Sequence, residues 1–178
     1  MNTMTNLALA AYVDGKLPYL GSAGDSKLKW DLRFLDMAEL VAGWSKDPST
    51  QCGAVIVRPD RTVASVGFNG FPKGCLDDQE LYDDRETKYS RVVHAEANAI
   101  LFSAEPVNGY TMYTYPASIS PTCDRCATLV IQSGITRIVH EYSEGSAFSA
   151  RWAAACESAL NMYTEAGVEV VHMPKLAG

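Results

Sequence analysis

The order of the apolar segments constrains this chain more than any other feature. A helix is expected from about Trp30 to Ser45, where Leu32, Leu35, Ala38, Leu40, Val41 and Trp44 follow helical spacing and "DPS" ends it. Two β-branched runs, Cys52–Val57 and Thr62–Phe68, flank "RPDR" and read as a hairpin. "NGFPKGCLDD" reads as a long loop rich in turn residues, and a helix over His94–Ala104 follows. Strands at Tyr110–Tyr115, Ile135–Val139 and Val168–Val171 then alternate with helices at Cys123–Ser133 and Phe148–Glu165. The order is α-β-β-α-β-α-β-α-β. Strands that alternate with helices after one hairpin favour an α/β fold of three layers, a sheet covered by helices.

At 178 residues the chain fits one domain with a substantial core. Gly15, Pro18, Gly21 and Gly24 mark residues 1–27 as an irregular extension, leaving 28–178 as the folded unit. No apolar run approaches the roughly 20 residues that span a bilayer. The first residues also lack the basic region and long apolar core of a secretory signal, so a cytoplasmic location is expected. Fifteen basic against twenty-one acidic residues give a net charge of −6, which argues against a polynucleotide partner. One phosphate needs only a few local donors, so a small anionic ligand stays open.

Five cysteines without a leader do not read as a disulfide framework. Cys123 and Cys126 stand apart as a C-x-x-C pair at an expected helix start, where their sulfurs share a face. The helix N-terminus favours thiolates, the metal-binding form. His94 opens another expected helix and supplies a third donor. One imidazole and two thiolates suit Zn²⁺ with a fourth position open for water. Glu96, two residues on, could stand beside that water outside the ligand set and move its proton.

Each part alone has a plainer reading. A lone histidine is usually an ordinary surface or core residue, and a glutamate in a first turn commonly offsets the helix dipole. A lone C-x-x-C could be redox-active or half of a structural zinc site, with Cys52, Cys75, Cys156, His140 and His172 as further donors. H-x-E at one helix start and C-x-x-C at the next favour catalytic zinc.

"HAEANAI" with "CDRCATLVIQSGI" resembles the zinc-dependent cytidine and deoxycytidylate deaminase superfamily. "SKDPSTQCGAVIV", "GFNGFPKGCLDD" and "KYSRVVHAEANAI" bring the resemblance close to the deoxycytidylate (dCMP) deaminases. It covers roughly Trp30 to Val171. The resemblance implies a three-layer α/β/α cytidine deaminase-like fold with a central mixed five-stranded sheet, often in a homohexamer. It implies hydrolysis of dCMP to dUMP and ammonia, feeding thymidylate synthesis, with dCTP as activator and dTTP as inhibitor. His94, Cys123 and Cys126 match the zinc ligands and Glu96 the proton shuttle.

Asn69 matches an asparagine that contacts the nucleotide sugar, although Asn-Gly alone is a turn signal. Ser45 and Lys46 are candidates for the phosphate, or merely end the first helix. Lys73, Arg85, Lys88, Arg91 and Arg125 are further candidate cations. Ala95, beside the histidine, is a candidate substrate contact. Tyr115 and Tyr142 are candidates to stack on cytosine, or to pack in the core. Gly70, Lys73, Asp77 and Asp78 fall where the family places its effector site, and the acids there could hold Mg²⁺ with a triphosphate. Two features depart from the family: Thr122, not proline, precedes the first zinc cysteine, and "YPASISPT" is longer than usual. A deaminase that also accepts dCTP and a noncatalytic zinc-stabilised nucleotide sensor remain as alternatives.

Overall fold

The computed structural model describes residues 23–118, 120–142 and 147–174. Most of the expected irregular extension therefore lies outside the described residues. Its last part does not stay irregular: α1 runs Ala23–Ala42, beginning seven residues before the apolar periodicity does. Gly24 is a weak breaker so close to a helix start. At the other end Gly43 follows the helix, and N–H groups of Trp44 and Ser45 close the turn on Val41 and Ala42 carbonyls at 3.0 Å.

The hairpin forms as expected, with β1 (Gly53–Val57) antiparallel to β2 (Val63–Phe68). Two short helices then occupy a segment with no clear periodicity, α2 (Gln79–Asp83) and α3 (Arg85–Arg91). The remaining elements are α4 (Ala95–Leu101), β3 (Thr111–Ser118), α5 (Asp124–Gln132), β4 (Arg137–Tyr142), α6 (Ala147–Ala166) and β5 (Glu169–Pro174). The sheet order is β2-β1-β3-β4-β5. β1 is antiparallel to both its neighbours, whereas β3, β4 and β5 are parallel, joined by crossover helices α5 and α6.

The period of two along the strands separates two cores. Val55, Val57, Tyr113 and Val139 face Phe34, Leu35, Ala38 and Val41 of α1. Ala54, Ile56, Met112 and Ile138 face the other way, against Ala99 of α4, Val130 of α5 and Tyr163 of α6. The result is the expected three-layer α/β/α fold on a mixed five-stranded sheet.

Two glycines set the spacing of the layers. A Cβ on Gly53 would overlap the Ala38 carbonyl of α1, and one on Gly67 would overlap backbone atoms of Ala95 and Ala99 in α4. Gly67 thus lets α4 lie against β2, and this close seat fixes where the start of α4 points.

Candidate metal centre and pocket

Two helix N-termini meet on one side of the sheet. His94 is the residue before α4 (φ −72°, ψ 156°) and Cys123 the residue before α5 (φ −77°, ψ 169°), both extended. Neither side chain caps its own helix, which leaves both free to turn toward each other. His94 Nδ1 lies 3.4 Å from both Cys123 Sγ and Cys126 Sγ. The three donor atoms lie within 4.8 Å of one another. Tetrahedral zinc with bonds of about 2.05 Å to nitrogen and 2.3 Å to sulfur would separate its ligands by roughly 3.5–3.8 Å. The donor set fits that ion in both chemistry and spacing.

The electrostatics favour protons on His94 and Cys126 and a thiolate at Cys123. A hydrogen bond from Cys126, aided by His94, outweighs burial and brings Cys123 down to about 4. The Cys123 hydrogen bond raises His94 to about 9 against burial. Cys126 is pushed up, first by its bond to Cys123 and then by burial. Binding a metal displaces such protons. Burial raises the Glu96 carboxyl above the ordinary range, with the charge of His94 opposing.

One cavity opens onto this cluster and is lined by His94, Glu96, Cys123, Asn69 and Tyr115. Asn69 is 5% exposed and Glu96 half-buried, so both belong to the wall of the pocket rather than to open surface. The other substrate candidates stand elsewhere. Ser45 is buried behind the wall, its hydroxyl donating to the Asn69 carbonyl at 2.7 Å. Lys46 is in solvent, paired with Asp77 at 2.7 Å. The Ala95 side chain packs into the core beneath Gly67. Tyr142 sits at the end of β4 with its ring 5.4 Å from that of His172. Of the effector candidates, Asp77 also accepts from the Tyr82 hydroxyl at 2.7 Å, while Lys73 and Asp78 are exposed and Gly70 bridges to Val93.

Of the spare donors, Cys52 and Cys156 line the same pocket without joining the His94–Cys123–Cys126 group, and the two histidines are engaged elsewhere. His140 and His172 pair with each other across β4 and β5, Nε2 to Nδ1 at 2.7 Å. Thr122, where the resemblance implies proline, is buried and hydrogen-bonded to the Tyr163 hydroxyl at 2.8 Å, tying the pocket wall to α6.

Several lining residues carried no sequence signal of their own. Tyr89 of α3 and Trp152 of α6 meet edge to face at 6.3 Å on the pocket wall. Asp47 lies beside the Ser45–Lys46 pair that drew attention, yet it is Asp47 that faces the cavity. Lys88 is the one candidate cation that lines it.

Residues 28–142 match the family model described as the cytidine and deoxycytidylate deaminase zinc-binding region. The chain belongs to the cytidine and deoxycytidylate deaminase family. Within that family it is 44% identical over 149 residues to an uncharacterised deaminase of Aliivibrio fischeri, covering 82% of this chain and 95% of that one. It is 39% identical over 121 residues to the human deoxycytidylate deaminase, covering 65% of this chain and 66% of the human one. A crystal structure of dCMP deaminase from the cyanophage S-TIM5, in complex with dCMP and dUMP, superposes with a TM-score of 0.63. That match covers 82% of this chain and 97% of the phage chain at 22% identity, a likeness of fold.

Proposed function

We propose that this deaminase hydrolyses dCMP to dUMP and ammonia, with His94, Cys123 and Cys126 holding a catalytic zinc ion. The observation that carries the reading is the meeting of two helix starts that puts Glu96 into the same pocket as His94 and Cys123, with Cys126 buried beside them. The deoxycytidylate deaminases at 39–40% identity supply the substrate. Zinc, when bound, lowers the pKa of a water from ~16 towards ~7 and so makes a nucleophile available near neutrality. Glu96 accepts the first proton of the attacking water and passes it to the pyrimidine ring nitrogen, then takes the second proton from the added hydroxyl and delivers it to the leaving amine. Its burial-raised carboxyl suits both directions of transfer. Asn69 contacts the sugar, and Tyr115 bounds the space for the base.

The finer expectations belong to the same reading. dCTP activates and dTTP inhibits through the Gly70–Asp78 loop, with Mg²⁺ accompanying the triphosphate. The enzyme works as a cytoplasmic homohexamer and supplies dUMP for thymidylate synthesis. The exposed Lys46–Asp77 pair ties this loop to the turn after α1.

A panel of dCMP, deoxycytidine, dCTP and a cytosine-containing oligonucleotide tests the substrate, each assayed with and without effector. The expected order puts dCMP first. Preference for the oligonucleotide, or zinc binding with no turnover of any cytosine substrate, would overturn the reading.

A further inference from the structure

A buried ion pair forms part of the pocket wall. Lys88 Nζ of α3 lies 2.7 Å from Asp47 Oδ1, with the lysine side chain 11% exposed and the aspartate 1%. Such a pair is a weak source of stability, because desolvation consumes most of the attraction. Its neighbours point to a different use. The Asn69 carboxamide is fixed from three sides: Oδ1 accepts the Cys52 N–H at 2.7 Å, and Nδ2 donates to the Thr50 carbonyl at 2.9 Å and to Asp47 Oδ2 at 3.3 Å. The two backbone partners settle which end is oxygen. Both amide hydrogens are spent inward, so the capacity left on the carboxamide is one lone pair of Oδ1. What the carboxamide of this pocket-lining residue can still offer a ligand is an acceptor and no donor.

We propose that Asp47 and Lys88 are positioning residues that make Asn69 an acceptor for the sugar hydroxyl of the substrate. Asp47 consumes the second amide hydrogen. Lys88 and the N–H groups of Ser49 and Thr50 keep Asp47 ionised in a buried place, against the burial that would raise its pKa. The same lysine ties α3 to the turn after α1. Gly70 and Val93 exchange backbone hydrogen bonds at 2.9 and 3.1 Å, so the Asn69 segment and the approach to His94 move as one unit. Replacing the carboxylate by an amide would set a second NH₂ against Nδ2, and the Cys52 N–H would resist the flip that relieves it.

The inference rests on the dCMP reading, whose substrate carries a single sugar hydroxyl. The test measures kcat and KM of the zinc-loaded full chain for dCMP and for its dideoxy analogue, which lacks that hydroxyl. Wild type should prefer dCMP by about 10-fold or more, because a site built to pair a hydroxyl rejects a ligand without one. In Asp47→Asn the KM for dCMP should rise by roughly 10-fold, kcat should change little, and the preference should fall towards unity. The charge-neutral pair Asp47→Asn/Lys88→Met should lose the preference likewise, and decides the matter if the single variant does not fold. A retained preference in folded, zinc-containing variants would overturn the inference, as would wild type showing none, or both variants failing to fold. Zinc-loaded wild type without dCMP turnover would overturn the functional reading and the inference with it.

Discussion

At the scale of single residues, what a side chain does here depends on which partner reaches it first. Ser45 and Lys46 look alike in sequence, a hydroxyl and a cation next to a helix end. The structure spends them differently. The Ser45 hydroxyl bonds inward to the Asn69 carbonyl and accepts the Asp47 N–H at 3.2 Å, while the Lys46 ammonium turns outward to Asp77. Ser45→Ala should therefore destabilise the fold by about 1–2 kcal/mol in urea unfolding, the cost of stranding buried polar groups. The ratio of KM for dCMP to KM for deoxycytidine should stay unchanged. A selective loss of affinity for the phosphorylated substrate would return Ser45 to the role of phosphate ligand.

At the scale of elements, the meeting of His94, Cys123 and Cys126 was legible because the two motifs coincide with helix starts, and a helix start is among the clearer local signals. His94 and Cys123 both occupy the position just before their helices. The short helices α2 and α3 were not legible. They span five and seven residues of largely polar sequence and have too few turns to establish a period. Lys88 and Tyr89 reach the pocket through α3, so missing that helix meant missing their placement. The long helix α6 was legible as a helix, yet nothing in its pattern singled out Trp152 as a pocket residue. The seat of α4 on β2 is the element-scale feature most open to test. Gly67→Ala should force α4 outward against backbone that cannot yield, costing about 1–3 kcal/mol. Because His94 and Glu96 ride on α4, zinc content and turnover should fall together. Wild-type values of both would show that α4 has slack.

At the scale of the molecule, the alternation of strands and helices was enough for three layers, because strands joined by crossovers leave few other arrangements, whereas the mixed five-stranded sheet followed from the family resemblance. The two cores follow from the period of two along β1 and β3, which sends Val55 to one layer and Ile56 to the other. The Asp47–Asn69–Lys88 network was beyond sequence reading, since its members are separated by up to 41 positions and meet only once the layers pack. The fold therefore does two jobs with one arrangement. It gathers His94, Cys123 and Cys126, which could hold a metal ion, from two helix starts, and it lines the adjoining pocket with the buried polar groups Asp47, Asn69 and Lys88. The account stands on Glu96 moving the proton in that shared pocket. The direct test is Glu96→Gln, assayed for zinc content and dCMP turnover on the same sample. Zinc should remain near one ion per chain while kcat falls by a factor of about 10²–10⁴. Turnover within a small factor of wild type, with zinc retained, would contradict the account.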